Sequence, residues 1–286
     1  MRYEAPESIE GAVALLSAAT GEARVLAGGT DLLVQMRADI VDPDLIVDIK
    51  KIAETRAITE EKGGWRVGAA VTGAELKEHA RLKRVWPGVV EAANLIGSTQ
   101  VQGRATLGGN LCNGSPAADS VPALIAAAAV ASLAGPQGRR DLPVEDVMLG
   151  PRKLALRKGE IVVSFLLPPR PKGSSDAYLR FIPRTEMDIA VVGAGVSLTL
   201  DGAGTIAAAR VSLGAVAARV LLVPEAAQAI VGSRLDAAAQ RRLEAAARAA
   251  CRPIDDKRGT TEFRIDVAAV LTRRAALIAL DRARTS

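Results

Sequence analysis

The sequence predicts an α+β fold divided into two domains. A chain of 286 residues is long enough for about two domains of ordinary size. Proline, glycine and serine cluster at positions 168–175, a composition that marks linkers and domain boundaries. After this break, strand patterns come first and helix patterns follow, an order that favours an α+β architecture. We therefore expect one domain over residues 1–170 and a second over residues 176–286.

The first half of the chain alternates short apolar runs with helical patterns. Ile9, Val13 and Leu16 repeat at the spacing of one helix face. The segment 72–75, Thr-Gly-Ala-Glu, has the capping-box pattern and predicts a helix through about Leu82. The other predicted elements are strands at 24–27, 45–49, 65–71 and 161–167, helices at 87–96 and from Val121 after a Ser120 cap, and a hairpin that pairs 129–134 with 139–142.

The second half predicts a sheet followed by two helices. Strand patterns cover 177–182, 189–200 and 206–214, and helix patterns cover 235–250 and about 265–284. Gly193 and Gly195 suggest the start of a dinucleotide-binding motif, but its sixth position is Leu198 and the following residues have a strand pattern. We interpret these glycines as part of a strand.

A glycine-rich segment follows the predicted strand at 24–27. It reads Ala27-Gly28-Gly29-Thr30-Asp31 and leads into residues with helix-like spacing. Consecutive glycines permit positive φ and bring bare N–H groups near a ligand, and a helix start adds free N–H groups. These features suit a phosphate. A plain strand-to-helix turn explains the same residues, and local sequence leaves both interpretations open.

A second glycine pair lies in a long segment, residues 97–119, that shows no clear helix or strand pattern. Such stretches are uncommon in compact domains unless they are functional. The segment contains Thr106-Leu107-Gly108-Gly109-Asn110 and the polar residues Asn113, Ser115 and Asp119. The two glycine turns together suit one long ligand with two phosphates, and a mobile surface loop is the alternative. Neither turn matches the P-loop or the Rossmann pattern.

Composition excludes several classes of function. Cys112, Cys251 and His79 are too few and too scattered for a zinc site, an iron–sulfur cluster or a disulfide framework. We expect Cys112 to be a packed thiol and His79 an exposed helical residue, so any chemistry would belong to a bound cofactor. Aromatic residues make up 2% of the chain, and the net charge of +5 comes from interspersed residues of both signs. We expect neither a nucleic-acid partner nor a membrane span, and the N-terminus without an apolar core predicts a cytoplasmic protein.

Taken together, the motifs resemble the FAD-binding medium subunit of molybdenum hydroxylases, the family of xanthine dehydrogenase-like and carbon monoxide dehydrogenase-like enzymes. The resemblance rests on AGGTDLL at 27–33 and ATLGGNLCNGSPAADSVPAL at 105–124. EIVVS at 160–164, YLRFIPRTEMDIAVV at 178–192 and the closing helix agree with it, so it covers nearly the whole chain. It implies a vanillyl-alcohol-oxidase-type FAD-binding domain of two α+β subdomains and a C-terminal α+β domain.

The resemblance also implies a set of FAD-binding residues. The first glycine segment would bind the FAD pyrophosphate through backbone N–H groups, and the second would wrap the cofactor. Asn113 and Asp119 are implied near the ribityl chain, Val162 near the isoalloxazine, and Arg180 where relatives often carry a lysine close to the flavin. The full set is Ala27, Gly28, Gly29, Thr30, Asp31, Thr106, Gly108, Gly109, Asn110, Asn113, Asp119, Val162 and Arg180.

The implied function is electron transfer. FAD would receive electrons from [2Fe-2S] clusters of a small partner subunit, after substrate oxidation at a molybdenum cofactor in a large partner. It would pass them to NAD, a quinone or oxygen, and the complex would be a dimer of heterotrimers. Two alternatives stay open: a stand-alone FAD oxidase of the same fold, and a non-catalytic module that binds a phosphorylated ligand or holds partner proteins.

Overall fold

The computed structural model describes residues 1–286, which form fourteen strands, twelve α-helices and one short 3-10 helix (Val144–Asp146). The strands are β1 (Arg2–Glu4), β2 (Ala23–Leu26), β3 (Leu45–Asp48), β4 (Ile58–Glu61), β5 (Gly64–Gly68), β6 (Val130–Gly135), β7 (Gly138–Pro143), β8 (Met148–Gly150), β9 (Lys153–Leu154), β10 (Ile161–Leu167), β11 (Ser174–Phe181), β12 (Val192–Leu200), β13 (Ile206–Gly214) and β14 (Leu221–Leu222). The helices are α1 (Ile9–Ala18), α2 (Leu32–Arg37), α3 (Ala53–Arg56), α4 (Gly73–Glu78), α5 (Ala80–Val85), α6 (Pro87–Ala93), α7 (Thr99–Gln102), α8 (Leu107–Cys112), α9 (Ser120–Ala126), α10 (Pro224–Gln228), α11 (Ala237–Ala250) and α12 (Thr261–Arg284).

Three main sheets follow one another along the chain. The first has parallel strands in the order β1-β3-β2, and the second has antiparallel strands in the order β4-β5-β10-β6-β7. The third is antiparallel in the order β11-β12-β13-β14, while β8 and β9 form a small separate hairpin. Helices accompany each main sheet. The predicted α+β class is confirmed.

Helix α1 packs on the first sheet with the apolar face that its sequence predicts. Ser8 caps the helix by accepting a hydrogen bond from the Gly11 N–H at 3.1 Å. Ile9, Val13 and Leu16 are buried on the face toward the sheet. The hydrophobic core beneath this helix also includes apolar side chains from β10, so the first two sheets contribute to one core.

The helix predicted to run from the capping box to Leu82 is interrupted at His79. The capping box itself forms at the start of α4, and His79 then ends α4 and caps α5, where its Nδ1 accepts from the Leu82 N–H at 3.1 Å. The imidazole is half-buried, with its ring edge on Trp65 at a centroid distance of 5.1 Å. The expectation of an exposed histidine within a helix was therefore wrong.

The segment 97–119 contains more regular structure than its sequence predicted. It forms α7 and α8, and the second glycine pair lies inside α8. Helix α9 begins at Ser120, but that side chain does not cap it, because the Ser120 hydroxyl donates to Asn110 Oδ1 at 2.7 Å instead. The segment is therefore packed rather than a surface loop.

The third sheet carries α10, α11 and α12 and encloses its own core of valine, leucine and alanine side chains. Gly193 and Gly195 lie within β12, as their strand interpretation predicted. Strand β11 begins at Ser174, inside the segment predicted as a linker. No helix in the chain is long and apolar enough to cross a membrane.

Side chains tie the third sheet to the preceding structure. The guanidinium of Arg170 stacks over Trp86 at 3.9 Å and bonds to Asp176 at 2.8 Å. Arg282, near the end of α12, forms an ion pair with Glu91 of α6. These contacts hold β11 against α6 and thereby place Tyr178 and Arg180 behind the cavity described next.

Candidate functional site

A cavity of about 290 Å³ lies where the first sheet meets the second. Its walls come from the turn after β2, from α8, from β10 and from the β8–β9 hairpin. Both glycine segments open onto it, although they are far apart in sequence. The predicted site residues that line it are Ala27, Gly28, Gly29, Thr30, Asp31, Thr106, Gly108, Gly109, Asn110, Asn113 and Val162.

The first glycine segment presents unused hydrogen-bond donors. The backbone N–H groups of residues 28–32 donate to no other protein atom, and they are consecutive along one wall of the cavity. Gly28 also packs closely: a Cβ at this position would lie 2.1 Å from the carbonyl oxygen of Arg104. The missing side chain therefore lets this turn approach the segment that leads into α8. A row of free amides beside a helix start suits a phosphate group.

The second glycine segment is arranged differently. Thr106 caps α8, and its hydroxyl oxygen and carbonyl oxygen each accept a hydrogen bond at 3.0 Å, from the N–H groups of Gly109 and Asn110 respectively. The Gly108 N–H donates to the carbonyl oxygen of Ala69 at 3.1 Å. These three amides are bonded within the protein. This segment therefore shapes the cavity wall, whereas the first one offers donors to a ligand.

Asn113 connects the two glycine segments. Its Nδ2 donates to Asp31 Oδ1 at 3.1 Å, and its Oδ1 accepts from Gln35 Nε2 at 2.9 Å. Desolvation raises the pKa of the Asp31 carboxyl, which has no cationic partner. Gln35 was not predicted as a site residue. It follows Asp31 by one turn of α2, and this i, i+4 spacing is the sequence signal that would have placed the two side chains next to each other.

Asp119 and Arg180 do not line the cavity. They form a buried ion pair, with Arg180 Nη1 2.7 Å from Asp119 Oδ2, and the Tyr178 hydroxyl donates to Asp119 Oδ1 at 3.0 Å. Burial raises the pKa of Asp119 to about 6, against the opposing effect of Arg180. Ser120, the next residue, bonds to Asn110 of the cavity wall. The pair thus lies one layer behind the site, in a position to support its wall.

Several cavity residues were missed because their side chains come from segments without a motif. Leu154 and Leu156 supply apolar wall from the strand β9 region, and Arg152 lies at the turn between β8 and β9. Cys112 also lines the cavity, half-buried, and desolvation raises the pKa of its thiol to about 12. The thiol is therefore protonated at neutral pH and is a poor nucleophile.

The donor set fits an extended dinucleotide cofactor. Free amides for a pyrophosphate lie at one wall, and apolar side chains, including Val162 and Ile161, lie at another. No group of three or more His, Cys, Asp or Glu residues is arranged to hold a metal ion. The arrangement can bind and shield a cofactor, but it offers no nucleophile–base pair.

Comparison with known proteins gives a consistent result. Residues 1–170 match the family model "FAD binding domain in molybdopterin dehydrogenase", and residues 177–279 match "CO dehydrogenase flavoprotein C-terminal domain". The chain is 35% identical over 283 residues to the carbon monoxide dehydrogenase medium chain of Afipia carboxidovorans, covering 99% of this chain and 97% of the relative. It is 31% identical to the xanthine dehydrogenase FAD-binding subunit of Escherichia coli O157:H7, covering 95% and 93%.

The solved structures agree with these sequence matches. The chain superposes on a chain of reconstituted CO dehydrogenase from Oligotropha carboxidovorans with a TM-score of 0.94 and 34% identity, covering 99% of this chain and 98% of that one. The similarity thus extends over both the cavity and the third sheet. The chain belongs to the family of FAD-binding flavoprotein subunits of molybdopterin-dependent dehydrogenases.

Proposed function

We propose that this chain is the FAD-binding electron-transfer subunit of a molybdenum hydroxylase. The observation that carries the proposal is the row of free N–H groups at residues 28–32, in a cavity that both glycine segments enclose. Pyrophosphate requires several hydrogen-bond donors in a small space, and consecutive amides supply them without bulky side chains. The match to an FAD-binding family model over residues 1–170 supports the same cofactor.

The residues of this chain hold and shield the cofactor. The amides of residues 28–32 bind the pyrophosphate, and Asn113 fixes the two glycine segments relative to each other. Val162, beside a β-bulge in β10, lines the apolar wall that would hold the isoalloxazine. Asp119 and Arg180 form a buried pair behind the α8 wall, where the neighbouring Ser120 bonds to Asn110. When bound, FAD supplies the redox chemistry that relays electrons.

The partners and the domain division belong to the same proposal. Relatives named as a medium chain or an FAD-binding subunit imply assembly with other chains. We assign a molybdenum cofactor to a large partner and [2Fe-2S] clusters to a small one, in a dimer of heterotrimers located in the cytoplasm. NAD, a quinone or oxygen is the acceptor. Residues 1–170 form the FAD-binding domain and 176–286 the C-terminal domain, in accord with the two family matches.

A stand-alone oxidase of the same fold is not favoured. The relatives that match over nearly the whole chain are named as subunits of larger enzymes. Purification from the native host, followed by molybdenum and iron analysis, separates the two functions. Co-purification of two further chains with both metals supports the subunit, and a lone flavoprotein with oxidase activity contradicts it.

The FAD site is tested by Gly29→Asp. Gly29 lies in the row of free amides with φ at +81°, so the variant adds both a negative charge and a side chain next to the pyrophosphate. We expect FAD to be lost from the purified protein, measured as the flavin absorbance relative to protein. Gly204→Asp is the matched control, because its φ of +77° is also left-handed and no atom lies within 4 Å of a Cβ at that position. Normal flavin content in Gly29→Asp would contradict the site.

A further inference from the structure

The rim of the cavity carries a cationic side chain without a partner, Arg152. The guanidinium of Arg152 forms no hydrogen bond or ion pair within the chain, unlike the other strongly charged groups on the wall. Arg24 pairs with Glu22 at 2.6 Å, and Glu160 pairs with Arg140 at 2.8 Å. The titratable side chains that line the cavity are Arg24, Asp31, Cys112, Arg152 and Glu160.

The backbone holds Arg152 in an unusual conformation. Its φ is +58°, a left-handed value that residues with side chains rarely adopt. The Arg152 N–H donates to the carbonyl oxygen of Gly114 at 2.9 Å. Gly114 is itself left-handed at φ +65°, and a Cβ there would lie 2.9 Å from the Arg152 Cα. The close contact between the two residues therefore requires glycine at 114 and fixes Arg152 at the rim.

This contact places Arg152 at the corner of the cavity where the glycine segments meet. Gly114 directly follows Asn113, whose side chain bonds to Asp31 at the end of the first glycine segment. The amides of residues 28–32 carry only partial positive charge, and Asp31 adds a negative one. A full positive charge nearby would offset the Asp31 carboxylate and strengthen the binding of a phosphate here.

We propose that Arg152 is a phosphate-binding residue of this cavity. A guanidinium offers two parallel N–H donors to phosphate oxygens and keeps its charge at every working pH. The phosphate belongs to the pyrophosphate of FAD or to a dinucleotide electron acceptor that enters the same rim. The inference rests on the proposed FAD-binding function of the cavity, and it adds a cationic contact that the glycine segments do not supply.

The test compares Arg152→Gln and Arg152→Lys with Lys153→Gln in the assembled complex. Lys153 is exposed, adjacent in sequence and not part of the cavity wall, so its variant controls for loss of surface charge. Deflavinated complexes are titrated with FAD, and FAD-loaded complexes are titrated with NAD by calorimetry. A charge-assisted contact of this kind corresponds to an affinity change on the order of tenfold.

The two sources of phosphate give different results. If Arg152 binds the FAD pyrophosphate, Arg152→Gln weakens FAD binding about tenfold and makes that binding less sensitive to salt. Arg152→Lys then restores part of the affinity. If it binds the acceptor, FAD affinity is unchanged and NAD affinity falls. Affinities for both ligands equal to those of Lys153→Gln would overturn the proposal. Failure of the wild-type protein to bind FAD would instead overturn the proposed function.

Discussion

Replacement of Gly28 by alanine tests whether the cavity depends on the close approach of its two glycine segments. Gly28 has an ordinary φ, so alanine introduces no backbone strain there. The added Cβ would lie 2.1 Å from the Arg104 carbonyl oxygen, 2.9 Å from its carbon and 3.2 Å from the Ala105 Cα. These are backbone atoms, which cannot swing aside as a flexible side chain can, so the two segments must separate by about 1 Å.

The expected cost follows from this displacement. Overpacking of this kind destabilises a protein by about 2 kcal/mol, which for a chain of this size lowers the Tm by about 5 °C. Because Ala105 precedes the Thr106 cap of α8, the shift reaches the second glycine segment directly. We therefore expect a lower FAD content as well as a lower Tm, measured by absorbance and by differential scanning calorimetry.

A matched variant separates the steric effect from the general effect of losing a glycine. Gly202 also has an ordinary φ, and a Cβ added there would meet no atom within 4 Å, so Gly202→Ala is expected to change stability by less than about 1 kcal/mol. If Gly28→Ala unfolds at the same temperature as Gly202→Ala and keeps its FAD, the close approach does not explain the glycine at position 28.

Two further predictions concern buried titratable groups. Arg180→Leu leaves Asp119 buried beside Tyr178 alone and costs about 3 kcal/mol at pH 8. Burial already raises the pKa of Asp119 to about 6, so the wild type loses stability as the pH rises toward 7 and little beyond it. Loss of Arg180 raises this pKa further, so the variant keeps losing stability above pH 7. Urea unfolding at pH 5.5 and pH 8 measures this, and a difference that does not grow with pH contradicts it. Desolvation raises the pKa of Cys112 to about 12 and that of Cys251 to about 11, so iodoacetamide at pH 8 should modify neither thiol until urea is added. Rapid modification of the folded protein, measured by mass spectrometry, would argue against the raised pKa of both thiols.

Local sequence was sufficient wherever one periodic pattern decided the structure. The apolar run at 161–167 forms β10, and the pattern at 206–214 forms β13. The capping box at Thr72 starts a helix because both of its hydrogen bonds lie within four residues. The first glycine pair turns the chain between β2 and α2, as its sequence indicated. In each case the deciding contacts are between near neighbours, which a local pattern records.

Tertiary contacts decided features of the fold and of the site that no local pattern records. The helix after Thr72 ends at His79, where the imidazole packs on Trp65 of a neighbouring strand. Local charge around His79 gives no sign of this contact.

The side chains of the cavity are likewise placed by partners far along the chain. Asn113 bonds to Asp31 across 82 positions, and Tyr178 bonds to Asp119 across 59. Arg152 has no motif around it and reaches the rim only because its backbone packs on Gly114. The sequence by itself determined the fold class, the glycine turns and the family. Only the tertiary structure decided which amides stay free and which charges face the cavity, because those depend on long-range partners that a local pattern does not contain.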